Sequence, residues 1–147
     1  MGIVNNQSRI SGEIFAYNFS NTSSNLTLND GYQTITTLST TFTTDRDGEI
    51  KITFRGFVDK TTSGGNAPIK LRLVNGSNTV LSGSDRYFHV FHTSTAASLI
   101  HAEWVFDISP NENITVKPQI RCTNRDETAI LRYGGDYPPV VLEIVGI

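Results

Sequence analysis

Between Glu49 and Val58 apolar and polar side chains alternate. Ile50, Ile52, Phe54 and Val58 take one side; Glu49, Lys51, Thr53, Arg55 and Phe57 take the other. A period of two sends successive side chains to opposite faces of an extended chain, so this stretch reads as a half-buried β-strand. The period recurs. Ile69, Leu71 and Leu73 alternate with Lys70 and Arg72. Ile100, Ala102, Trp104, Phe106 and Ile108 alternate with His101, Glu103 and Asp107. Ile114, Val116, Pro118, Ile120 and Cys122 alternate with Thr115, Lys117, Gln119 and Arg121. Pro118 lacks an N–H donor, which places this last strand at a sheet edge or at a bulge. No segment of ten or more residues shows a convincing helical period.

Turn signals separate the strands at regular intervals. Asp45-Arg46-Asp47-Gly48 precedes one strand, Asn75-Gly76 is a tight-turn signal, and Ser109-Pro110-Asn111-Glu112-Asn113 turns one strand into the next. An aromatic strand, Ile14 to Phe19, lies in an Asn/Ser-rich N-terminal part. The spacing predicts an all-β fold: a two-sheet antiparallel jelly-roll sandwich of about ten strands. The chain of 147 residues is long enough for one domain with its own core. With no composition shift or repeat, residues 1–147 form a single domain, 1–30 being an N-terminal arm and first strand and 31–147 the main sandwich.

The net charge of −2 supplies no basic field for a polyanion, which argues against nucleic acid as a main partner. The one cysteine, Cys122, excludes an intrachain disulfide and a multi-thiolate zinc site, and on a strand it reads as a small buried hydrophobe. Met1 to Asn6 has neither the charged nor the apolar region of a signal peptide, and Asn6 stands where myristoylation needs Ser or Thr. No apolar run approaches transmembrane length. The expectation is a chain made in the cytoplasm, with no membrane insertion.

The end of the sequence is unusual. Pro138-Pro139-Val140-Val141-Leu142-Glu143-Ile144-Val145-Gly146-Ile147 is apolar on both faces apart from Glu143. A strand apolar on both faces must be covered on both. The chain's own core covers one side, and self-association is the simplest cover for the other. Val141, Glu143, Val145 and Ile147 share the second face, so Glu143 needs a basic partner there. Lys51 and Arg55 are the candidates if their strand lies beside the last one, which only the sheet order of the family resembled below implies.

Few residues read as chemistry. His89, His92, His101 and Glu103 lie close in sequence, but a metal site needs three of them to converge, and residues 89 and 92 face opposite sides of a strand. Half-exposed strand histidines are the expectation. Asp45-x-Asp47-Gly48-Glu49 lacks the further ligands of a calcium loop and reads as a turn. No nucleophile elbow occurs. No catalytic, metal or cofactor site is expected. Trp104 belongs with the core face. Tyr32, Tyr87, Tyr133 and Tyr137 lie near strand ends or loops, and Tyr133 and Tyr137 flank Gly134-Gly135-Asp136. Two ring faces with Asp136 between them suit a sugar hydroxyl array, making Tyr133, Asp136 and Tyr137 the candidate ligand-binding set. The polar loops Thr61 to Asn66 and Asn124 to Glu127 are the other recognition candidates.

Three features together resemble the globular-head superfamily of tumour necrosis factor and the complement subcomponent heads. Phe42-Thr43, Gly48 and the alternating Ile50, Ile52 and Phe54 are similar to the start of that family's central inner strand. Ala97-Ser98-Leu99 through Phe106, then Ser109 to Val116, is similar to its long strand, polar turn and next strand. Gly134-Gly135-Asp136-Tyr137 and the closing apolar strand resemble its last strand. The resemblance covers Phe42 to Ile147. It implies a ten-stranded jelly roll assembled as a homotrimer, its inner sheet around the three-fold axis and its loops presented for recognition. The sequence departs from the family in having no collagen stalk, signal peptide or cysteine pair, which argues against a secreted animal cytokine. Its Thr/Asn-rich character is similar to phage or viral fibre and head-decoration modules, or to bacterial surface modules.

The expectation is therefore a non-enzymatic homotrimeric structural or attachment module of a virion or phage, without cofactor, carried on the particle or a cell surface and meeting a host-surface glycan or another virion protein. The rival is a monomeric carbohydrate-binding module using loop tyrosines.

Overall fold

A computed structural model of the chain describes residues 14–20, 25–60, 66–91, 97–123, 129–133 and 136–147. Eleven strands run through the described residues: β1 (Ile14–Ser20), β2 (Leu26–Leu28), β3 (Gln33–Thr34), β4 (Thr40–Thr43), β5 (Gly48–Lys60), β6 (Asn66–Val74), β7 (Arg86–Phe91), β8 (Ser98–Ile108), β9 (Asn113–Cys122), β10 (Ala129–Arg132) and β11 (Val140–Gly146). Every pairing between them is antiparallel. The one helical piece among them is a 3-10 turn at Thr36–Leu38. The all-β two-sheet sandwich follows from the alternation, as expected.

The first sheet is built on β5. Along one side β8 pairs with it from Gly48↔Ile108 to Val58↔Ser98. Along the other, β11 takes residues Ile50–Arg55 and β10 takes Phe57–Lys60, with β1 beyond β11 and β2 beyond β10. The second sheet is built on β9, which carries β6 and then β7 on one side and β3 and β4 on the other. Among the described residues up to position 30 two strands are present, and β1 pairs with β11 in the first sheet.

The core lies between the sheets. Ile50, Ile52, Phe54, Ile100, Trp104, Leu142 and Ile144 face Ile69, Leu71, Leu73, Val116, Ile120 and Cys122, all buried. Cys122 is the buried small hydrophobe the sequence implied. Trp104 is 2% exposed, and its indole Nε1 donates to the Ser84 carbonyl at 2.7 Å. The Ser84 hydroxyl in turn donates to the Leu73 carbonyl and accepts from the Leu73 N–H, which ties β8 to β6 across the sandwich. The inward alternation of β5 is interrupted at Gly56. A methyl group there would lie 3.2 Å from Leu131 Cδ1 and 3.3 Å from Val140 Cγ1, so neighbouring side chains already fill the position. Overfilling a packed core strains it. Gly56→Ala is expected to destabilise the fold by about 1–3 kcal/mol, read as a lower midpoint in urea with an unchanged slope; an unchanged midpoint would show that the two side chains swing aside freely.

One expectation needs correction. β9 is neither an edge strand nor bulged at Pro118: β6 pairs with it on one side without a register break, and β3 and β4 flank it on the other. The N and C=O of one strand residue point the same way, and the Pro118 carbonyl accepts from Ile35 N–H at 2.9 Å. The missing donor therefore faces the gap between β3 and β4, where no ladder bond is lost. The Asn75-Gly76 signal does mark a turn, but its left-handed residue is Asn78 (φ 63°), while the Asn75 carboxamide oxygen accepts from Ser77 and Thr79 N–H. The tight turn the sequence implied is closed by Asn78 N–H donating to the Asn75 carbonyl at 3.0 Å, with the Asn75 side chain as its cap.

Candidate functional site

The outward face of the first sheet carries exposed apolar side chains among charged ones. A register shift between Ile14 and Ala16 on β1 puts Ile14, Tyr17 and Phe19 on this face and turns Phe15 toward Phe42, ring centroids 5.9 Å apart. Bulges re-aim side chains in this way. Ile14 is 61% exposed, Tyr17 52% and Phe19 55%. Val141 and Glu143 on β11 lie opposite Phe19 and Tyr17, and Arg55 and Thr53 on β5 come next. His101, Glu103 and Val105 on β8 continue the rows, with Leu99 opposite Phe57. Leu99 is 56% exposed and Val105 52%. A groove of about 350 Å³ crosses this face between Tyr17, Phe57, Leu99, Pro138, Pro139 and Val141, with Arg55 beside it.

All six residues assigned to self-association from the sequence, Val141, Glu143, Val145, Ile147, Lys51 and Arg55, lie on this side of the sheet. Val141 is covered by its neighbours, Glu143 and Val145 are half-buried, and Ile147 is exposed. β5 does neighbour β11. Glu143, however, sits opposite Thr53, with Lys51 and Arg55 on the diagonals, and it makes no ion pair among the described residues. Diagonal positions across a ladder are roughly 7–8 Å apart, within reach of long side chains. The expected pair is not made within one chain. The sequence reading also missed Tyr17, Phe19, Leu99 and Val105. The signal was there: Leu99 and Val105 stand in the otherwise polar row of β8.

His101 Nε2 and Glu103 Oε1 are 3.1 Å apart, as their shared face allows. That hydrogen bond holds the Glu103 carboxyl below its ordinary value, with Lys51 adding to the effect. A lowered carboxylate stabilises the fold above its unfolded value, and the contribution is lost as pH falls through the folded one. His89 lies on β7, edge-on to Tyr87 at 4.9 Å, and His92 is outside the described residues. Among the described residues no three metal-ligating side chains converge. Asp45 binds its neighbour Arg46 at 2.8 Å, as a turn residue would.

The proposed aromatic pair does not present two rings. Tyr133 is 8% exposed and packs in the core, where burial pushes its phenol up while a hydrogen bond with Thr37 pulls the other way. A ring with both faces covered cannot stack on sugar. Tyr137 is half-buried against Phe57, centroids 5.8 Å apart, and Asp136 is exposed. Gly134 and Gly135, and the loop segments 61–65 and 124–128, lie outside the described residues.

The outward face of the second sheet is cationic. The Tyr32 ring packs against two guanidinium groups, that of Arg72 3.7 Å from its centroid and that of Arg121 at 4.8 Å. The Tyr32 hydroxyl meets Asp85 Oδ1 at 3.4 Å. Burial, then the Asp85 carboxylate, raises the Tyr32 phenol, against the pull of the two arginines. Arg72 Nε donates to Gln119 Oε1 at 2.9 Å, and Arg121 Nη1 to the Asp30 carbonyl at 3.2 Å. Lys70 Nζ lies 5.7 Å from the Tyr87 ring centroid.

No protein-family model matches the chain, and no curated protein sequence does. Solved structures share its fold. The Eiger TNF of S. frugiperda aligns over 92% of this chain and 93% of its own at 10% identity, TM-score 0.52. Dimeric latent PorU of Porphyromonas gingivalis aligns over 92% of this chain at 10% identity, TM-score 0.52, but the match spans only 12% of PorU. At such identity the likeness is one of fold, and the fold is a jelly roll.

Proposed function

We propose that this chain is a non-enzymatic homotrimeric structural or attachment module of a virion or phage, a fibre, head-decoration or receptor-binding head. One observation supports it above others: the first sheet exposes Tyr17, Phe19, Leu99 and Val105 on a single face around β11. Contiguous exposed apolar surface marks an interaction site. The occupant is further copies of the same chain. The family resemblance implies a trimer with the sheet of the last strand on the axis, and this is that sheet. The face also carries both signs of charge, Lys51 and Arg55 beside Glu103 and Glu143. Arg55 and Glu143 make no ion pair within the chain among the described residues, which leaves them for a neighbouring copy. The Thr/Asn-rich, weakly charged composition supports the virion setting. The rival reading, a monomeric carbohydrate-binding module using loop tyrosines, loses one of its two rings to the core with Tyr133.

Solution mass tests the proposal. Light scattering is expected to give three times the chain mass of 16.2 kDa. A folded monomer at all accessible concentrations would overturn it.

A further inference from the structure

We propose that the outward face of the second sheet binds an acidic glycan, a saccharide carrying carboxylate or sulfate groups, through Arg72, Arg121 and Lys70. The site deepens the attachment half of the proposed function and lies on the opposite sheet from the assembly face.

The first argument is a charge arrangement that the fold does not need. Lys70 on β6 is the direct cross-strand partner of Arg121 on β9, and Arg72 stands two residues further along. Like charges directly opposite in a ladder destabilise it. Among the described residues no carboxylate lies within ion-pair distance of any of the three, although Arg46, Arg132 and His101 each have one. Local choices that oppose stability gather at functional sites.

The second argument is preorganisation. Tyr32 and the bonds to Gln119 and Asp30 fix both guanidinium planes, so little side-chain freedom is lost on binding. Arg72 keeps donors beyond its bond to Gln119. Such forks match the two oxygens of a carboxylate or sulfate.

The third argument selects sugar over other polyanions. A surface hollow of about 270 Å³ adjoins the cluster, lined by Lys70, Asp85, Arg86 and Tyr87. The exposed Asp85 carboxylate accepts hydrogen bonds from ring hydroxyls, and the Tyr87 ring, 51% exposed, offers an apolar wall.

Affinity electrophoresis of the full chain tests this, with polygalacturonate as the carboxylate probe, dextran sulfate as the sulfate probe, and neutral dextran and single-stranded DNA as comparators. The expected result is retardation by at least one acidic polysaccharide and none by dextran, and the two acidic probes separate carboxylate from sulfate recognition. Arg72→Ala and Arg121→Ala should each weaken binding by about tenfold or more, the loss expected for a charge-assisted bond. Arg72→Lys, which keeps the charge but not the fork, should weaken it as well. Because Arg72 and Arg121 also pack on Tyr32, Lys70→Ala provides a milder variant with the same expected direction. No retardation by either acidic probe, retardation unchanged in all these variants, or DNA bound as tightly would overturn the proposal. Retardation is read separately from mass: a binding monomer overturns only the trimer, and a non-binding trimer overturns only this site.

Discussion

Phe19→Asp should convert a trimer into a folded monomer. The ring is 55% exposed in the single chain and stands on the edge strand β1, opposite Val141. Fully covering a Phe side chain contributes about 1.5–3 kcal/mol, and forcing an unpaired carboxylate into the same place costs several more. Each trimer carries the change three times, so the total exceeds what an interface of ordinary size can absorb. Within the single chain the position is a surface one, where substitutions usually change stability by about 0.5 kcal/mol or less. The expected outcome is one-third of the wild-type mass by light scattering with unchanged far-UV circular dichroism. Tyr87→Asp, equally exposed but on the other sheet, should leave the mass unaltered. If Phe19→Asp kept the trimer mass, assembly would have to use another surface.

Trp104→Ala should produce the largest loss of stability in the single chain. The side chain is 2% exposed and fills the space between β8 and β6. Emptying such a site costs about 3–5 kcal/mol, a large share of the roughly 5–15 kcal/mol that holds a domain together. The Ser84 carbonyl also loses its indole donor, and Arg86 the ring beneath its guanidinium, 5.5 Å from the centroid. Trp104→Phe separates the two effects. It keeps most of the packing and removes the N–H, and should cost about 1–3 kcal/mol. Both are read from urea unfolding followed by circular dichroism at fixed protein concentration, since the variants lack the only tryptophan. A midpoint for Trp104→Ala within error of wild type would mean that the two sheets do not close over this residue.

How far each of these features could be read in advance depends on its range along the chain. The core rows of β5, β6, β8 and β9 are local patterns, and they folded as their alternation implied. Trp104 and Cys122 went into the core because they stood in those rows. The Tyr133–Tyr137 pair failed for a non-local reason: Tyr133 directly follows β10, whose inward alternation of Ala129 and Leu131 it continues, and the sandwich closes over it. Glu143 makes no ion pair within the single chain among the described residues. Its strand neighbour was right, but the register set Thr53 opposite it and moved Lys51 and Arg55 to the diagonals. One residue of register decides such a contact, and nothing local encodes it.

By itself the sequence determined which residues point inward and that the chain is an all-β sandwich, because a period of two is a property of each strand alone. Only the tertiary structure decided what the outward rows become. Tyr17 on β1 and Leu99 on β8 join one face because β11 and β5 lie between them. Lys70 and Arg121 meet because β6 and β9 pair in the register that makes them partners. Strand order and register follow from how distant segments bury their inward faces together, and the surfaces that could meet a partner are set by that burial.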